Sequence, residues 1–203
     1  MSSTRLTRRA FAATAALVGA LAVVVVPAAS AQAADACTTR TTTRALAMFG
    51  DNNDYFPIGG GTFESGDLSY FGLTGSPFIA NENEPWHVLG ADNTRSVALP
   101  PGATLTAIFC VQVGEDSMRL FAKSAGTSGS SLTIRTSVST LYGSAMTSTS
   151  LGPQYATWGL SPRIPLINVA GPDGKQFVTL SLINTGNSPW LVDDILVDPW
   201  RTR

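Results

Sequence analysis

The sequence predicts an all-β fold, an antiparallel β-sandwich of the jelly-roll type, and three observations predict it. Short apolar runs recur along the chain, several with strict alternation of apolar and polar residues. Turn-forming clusters separate them: Pro100-Pro101-Gly102, Ala125-Gly126-Thr127-Ser128-Gly129, Gly171-Pro172-Asp173-Gly174 and Thr185-Gly186-Asn187-Ser188-Pro189. Beyond residue 33 no stretch sustains a helical apolar period. Many short strands at close spacing are what a sandwich or jelly roll requires.

The first 33 residues read as a cleaved export signal rather than as part of the fold. Arg5, Arg8 and Arg9 precede an apolar run over residues 10–26, then Pro27 and small residues, with Ala29-Ser30-Ala31 and Ala31-Gln32-Ala33 as cleavage sites. Thr7-Arg8-Arg9-Ala10-Phe11-Ala12 fits the twin-arginine pattern; an ordinary leader with a basic start is the alternative. The expected products are an N-terminal extended arm, 34–59, and a sandwich domain, 60–203, both secreted and with no membrane anchor after cleavage.

Strands are expected over 68–73, 78–80, 86–89, 95–99, 104–113, 118–123, 132–138, 145–151, 155–160, 176–183 and 190–197. In the seventh of these Leu132, Ile134 and Val138 form the apolar side; in the tenth Val178, Leu180 and Leu182 do. Phe49-Gly50-Asp51-Asn52-Asn53-Asp54-Tyr55 is a turn by composition. It alternates oxygen-bearing side chains but lacks the glutamate that closes an EF-hand loop. In the last strand, Pro189 and Pro199 bracket Trp190-Leu191-Val192-Asp193-Asp194-Ile195-Leu196-Val197-Asp198. Two adjacent carboxylates in an apolar strand need a partner, because buried charge costs several kcal/mol unless paired or bound to a metal. Strand alternation sends Asp193 and Asp194 to opposite faces.

The chain carries 13 basic and 14 acidic residues; loss of the leader's three arginines leaves the remainder at a net charge of −4. With no basic patch, nucleic acid is excluded as a partner. Cys37 and Cys110 are the two cysteines, and an even count outside the cytoplasm favours a Cys37–Cys110 disulfide, with two buried thiols as the alternative.

Gly61-Thr62-Phe63-Glu64-Ser65-Gly66 near the start, Arg119-Leu120-Phe121-Ala122-Lys123 in the middle, Trp158 late and Leu191-Val192-Asp193-Asp194-Ile195 at the end stand in a telling order. In that order the chain resembles the galactose-binding-like jelly rolls, above all carbohydrate-binding module families four, nine and twenty-two. The resemblance implies that the first and last strands lie together. It also implies a structural Ca²⁺ held by Glu64 and Asp193, with Asp194 as the second choice because strand alternation should face it the other way, and backbone carbonyls completing the shell. Hard oxygen ligands suit that ion. The alternative is that Glu64 accepts backbone N–H bonds and Asp193 pairs with arginine or water. Tyr70 stands where many of these modules place tryptophan, and 37–59 is additional; both weaken transfer of a sugar site.

Chemistry is poorly provided for. His87 is the single histidine, no Gly-x-Ser-x-Gly motif occurs, and one histidine with no free thiol pair makes zinc improbable. Glu64, Glu82, Glu84, Asp92, Glu115 and Asp116 could serve a glycosidase, but any chain of this size has acids. Among Trp86, Trp158, Trp190, Trp200, Tyr70, Tyr142 and Tyr155, loops beside Trp86 and Tyr155 make those two the expected sugar-stacking ligand contacts, with Trp158 and Trp190 in or at the edge of the core. The functional reading is a secreted, non-catalytic β-sandwich that binds an extracellular polysaccharide or cell-wall glycan. An adhesive or structural protein with no small ligand and, more weakly, a glycoside-active enzyme are the alternatives.

Overall fold

The computed structural model describes residues 37, 40–140, 143–169 and 174–199. The expected leader, its cleavage sites, Tyr142 and Trp200 lie outside the described residues. Among the described residues twelve strands form two antiparallel sheets that pack as a sandwich. They are β1 (Phe56–Pro57), β2 (Gly72–Thr74), β3 (Phe78–Ala80), β4 (Ser96–Leu99), β5 (Thr104–Gln112), β6 (Ser117–Ser124), β7 (Leu132–Thr140), β8 (Gly143–Leu151), β9 (Gly159–Leu160), β10 (Ile164–Pro165), β11 (Lys175–Asn184) and β12 (Trp190–Asp198). One sheet runs β10-β6-β12-β4-β3, with β1 also on β12 and β9 on β6; the other runs β2-β5-β11-β7-β8. Successive strands change sheet at every connection except β3/β4, β7/β8 and β9/β10, the back-and-forth path of a jelly roll.

Alternation places the core. Leu132, Ile134 and Val138 of β7 and Val178, Leu180 and Leu182 of β11 are buried, and they meet Leu120, Trp190 and Val192 of the facing sheet. The crossover from β4 to β5 uses Pro100-Pro101-Gly102-Ala103. Ala103 N–H donates to Pro100 O at 2.9 Å and Gly102 takes φ 76°. This positive φ at the third turn position is what glycine supplies without steric cost.

Residues 40–59 are not an appended arm. β1 pairs with β12, Phe56 opposite Val197, and Ile58 N–H donates to Ile195 O at 3.0 Å. Leu46 and Tyr55, with Phe121 of β6 and Leu196 of β12, form a second apolar cluster on the outer side of the larger sheet. Phe49, Trp86, Val88, Leu89, Trp158 and Leu160 cover it. Because β12 is thus covered on both faces, every residue of it except Leu191 is buried, and its alternation is invisible in the sequence. The Cys37–Cys110 disulfide, with Cα atoms 5.4 Å apart, ties the N-terminal segment to β5. Arg40 reinforces it: it pairs with buried Glu115, donates to Cys110 O at 2.7 Å, and lies 4.2 Å from the Phe56 ring centre.

Sequence expectation and structure differ at 86–89, which is a turn. The backbone there is organised around the Glu84 carboxylate instead of a ladder partner. The segment 68–73 yields only β2, and β1 and β10, two residues each, were too short to read. Among the described residues no helix is long and apolar enough to cross a membrane.

Candidate functional site

Two adjoining features on the larger sheet stand out: a buried group of carboxylates and an open groove. The first forms where the opening motif meets the closing strand. Ile195 N–H donates to Gly61 O at 3.0 Å. A Cβ on Gly61 would lie 2.7 Å from Ile58 Cγ1 and 3.2 Å from Ile195 Cβ, so the approach needs glycine. On this edge of β12, β4 pairs with residues 190–192 and Gly61 joins at Ile195. Asp193 and Asp194 lie between, unpaired by either.

A β-bulge falls at the same place. The register with β6 shifts between Asp193 and Leu196, and Asp194 takes φ 45°. Both aspartates are fully buried. Asp193 Oδ1 accepts from Asp194 N–H at 2.8 Å and Oδ2 from Glu84 N–H at 3.4 Å, whereas neither Asp194 oxygen accepts a hydrogen bond. Burial raises both carboxyls well above the usual range. The Asp194 charge adds to the effect at Asp193; those of Glu84 and Glu64 add to it at Asp194. Strict alternation would set the two carboxylates on opposite faces; with the bulge, Asp194 is the carboxylate that accepts no hydrogen bond, and the charges of Glu84 and Glu64 act on it.

Glu64 accepts backbone N–H bonds from Thr94 and Arg95 at 3.0 and 2.9 Å. Glu84 is fully buried and accepts from Trp86 N–H at 2.5 Å and Val88 N–H at 2.7 Å, so it shapes the 81–90 loop. Among the described residues four non-glycine residues take positive φ; Phe63 precedes Glu64, Asp194 follows Asp193, and His87 lies between the two N–H donors to Glu84. Such conformations cost roughly 1–3 kcal/mol each and gather at ligand clamps. Among the described residues no three acidic, cysteine or histidine side chains converge closely enough to hold a metal by themselves.

The groove lies beside this group. Phe78, Ala98, Leu191 and Lys123 are successive register partners across β3, β4, β12 and β6. They share one face and span about 14 Å at the ordinary strand spacing. The small residues in the middle make a trough of about 470 Å³, lined also by Ala80, Ala125 and Pro189. Phe78, 55% exposed, forms one side. On the other, Lys123 Nζ donates to Glu82 Oε1 at 2.5 Å and Trp158 Nε1 donates to the same oxygen at 2.9 Å. Lys123, opposed by burial and aided by Trp158, holds the Glu82 carboxyl below its usual value. Glu82 stands two residues before Glu84 on the same loop, which links the groove wall to the acid group along the chain.

The expected stacking residues are placed otherwise. Trp86 is half-buried, its ring centre 5.0 Å from Phe49 and 5.5 Å from Phe121. Tyr155 is half-buried, 6.1 Å from Trp190, with its hydroxyl donating to Leu160 O. Neither ring stands free of the fold, because the second apolar cluster and the core edge absorb them. Trp190 is fully buried and Trp158 half-buried, where the sequence put them. Trp86→Ala should accordingly lower stability by about 3 kcal/mol, read as a drop in the urea midpoint. An unchanged midpoint would mean the ring carries no packing.

Sequence reasoning named Glu84 only among the acids any such chain has, and passed over Phe78. Glu84 had one usable signal, an acid just before Pro85 in a turn-rich segment. Phe78 had none, since its exposure follows from which strand becomes the sheet edge.

No protein-family model matches this chain, and no curated protein does. Solved structures are similar at low identity. TmCBM61, solved in complex with β-1,4-galactotriose, is 16% identical over 70% of this chain and 97% of its own, with TM-score 0.46. The CBM22-1 xylan-binding domain from Paenibacillus barcinonensis Xyn10C is 10% identical over 70% of this chain and 93% of its own, also at 0.46. The enzymatically active domain of bacteriophage CBA120 tailspike protein 4 is 12% identical over 70% of this chain but 21% of its own, again at 0.46. The β-sandwich itself rests on the strand pairing described above.

Proposed function

We propose that this chain is a secreted carbohydrate-binding domain without catalytic activity, and that the Phe78–Lys123 groove takes a segment of polysaccharide. The groove carries the reading. It pairs an exposed aromatic ring, which a pyranose can stack on, with a carboxylate and an ammonium at the far side, which can exchange hydrogen bonds with hydroxyls, while the Trp158 indole N–H holds that carboxylate in place. The same region would hold a structural Ca²⁺. Asp194 supplies two buried oxygens with no hydrogen bond, Glu84 and Glu64 lie near it, and backbone carbonyls would complete the shell. Bound there, the ion would fix the 81–90 loop and hence the Glu82 side of the groove.

The affinity expected of so open a site is weak, about 10⁻⁴ M or −5.5 kcal/mol. A screen of immobilised polysaccharides with calcium present tests it. Phe78→Ala and Lys123→Ala should each weaken retention by about tenfold, equivalent to about 1.4 kcal/mol, without moving the melting temperature. Phe177→Ala, at an exposed ring on the opposite sheet, should leave it unchanged. The reverse pattern would move the site to that sheet. Its outer face is rich in serine and threonine and also exposes Ile108, Met146 and Phe177; no retention at all would favour the adhesive reading.

A further inference from the structure

Most of the sheet edges are short or closed. β2 and β3 have three residues each and β10 two. Where β5 extends past β2, Arg40 donates to Cys110 O. β8 is different. It runs nine residues at the end of the five-stranded sheet and pairs with β7 from Leu151 to Gly143 without a register shift. Its sequence, Gly-Ser-Ala-Met-Thr-Ser-Thr-Ser-Leu, contains no charge and no proline, and the strand has no bulge. Among the described residues its backbone makes no hydrogen bond to anything but β7. Natural edges of this length are usually guarded by lysine, proline or a bulge. This one has none of those guards, whereas its neighbour β7 carries Arg135.

We propose that β8 pairs antiparallel with β8 of a second copy of this chain about a two-fold axis, joining two five-stranded sheets into one of ten strands. The second copy is the occupant because the edge is complementary to itself. With the axis at Thr147, Ser144 lies opposite Ser150, Met146 opposite Ser148 and Ala145 opposite Thr149, while Thr147 meets its own mate. Every pair is small or flexible, and no like charges meet. The axis stands perpendicular to the sheet, so the hydroxyl-lined outer faces of both copies continue on one side. Arg135, opposite Ser148 on β7, is set back by a strand and does not face its mate across the seam.

Sedimentation of the purified protein over a wide concentration range tests the pairing. The expected result is a weight-average mass that rises from one chain to two. Met146→Lys with Ser148→Lys places lysines opposite lysines across the seam; both positions are exposed, so the fold and its melting temperature at low concentration should be kept. That variant should remain monomeric throughout, as should Met146→Glu with Ser148→Glu, and the two mixed should form a heterodimer. Wild-type protein that stays monomeric at every concentration would overturn the proposal. So would a dimer that survives the lysines.

Discussion

Cys37→Ser with Cys110→Ser should lower the stability of the domain by roughly 4 kcal/mol, the cost of releasing a loop of this length in the unfolded chain. The bridge spans a sequence separation of 73. The sandwich should still form, because the contacts beside the bridge do not depend on it. Arg40 pairs with Glu115, Gln112 N–H donates to Glu115 Oε2 at 2.6 Å, and Gln112 Nε2 donates to Cys37 O. Urea unfolding with and without reductant reads the effect as a shift of midpoint. An unmoved midpoint would mean that the reduced, unfolded chain is already held compact in this region.

Without metal, the domain should lose stability as the pH rises from about 4 through neutrality. Asp193 and Asp194 are raised by burial, then by neighbouring charge, so the folded protein keeps protons that the unfolded chain has released. Their contribution is complete below the unfolded carboxylate value and is lost as the pH climbs through the folded one. The limiting slope is about 1.4 kcal/mol per pH unit for each proton retained. Calcium should abolish the trend, because the bound ion holds the carboxylates ionised. At neutral pH a hundredfold excess over Kd adds about 2.7 kcal/mol. Asp194→Asn should reduce the slope and remove the calcium response. Melting curves in chelator and in calcium across this range check both arms. A flat profile in chelator would show that the pair is ionised with some other partner, and no response to calcium would contradict the ion site.

Where one face of a strand meets water, the sequence showed it. β7 and β11 alternate as written, and the meeting of Gly61 with the closing strand follows from the two terminal motifs. Where both faces are covered, the pattern vanishes, as in β12. There the bulge at Asp194 could not be read, nor which of the two aspartates lacks hydrogen-bond donors. The segment 40–59 looked separable because its apolar residues, Leu46, Phe49, Tyr55 and Phe56, have no period of their own; they fill gaps left by distant strands. Glu84 escaped for a related reason. Its burial is set by a turn whose backbone N–H groups it satisfies, not by any strand or helix period. The groove was illegible because it is a row across four strands that are far apart in sequence.

The central claim is that this row binds sugar. Its most direct test is a titration of ¹⁵N-labelled protein in calcium with an oligosaccharide retained in the polysaccharide screen, followed by amide and indole chemical shifts. The account predicts saturable changes gathered at Phe78, Glu82, Lys123 and Leu191, with the Trp158 Nε1–H resonance among the largest because that proton is donated to Glu82. Changes confined to the serine- and threonine-lined face around Thr179 and Ser181, with the groove silent, would contradict it.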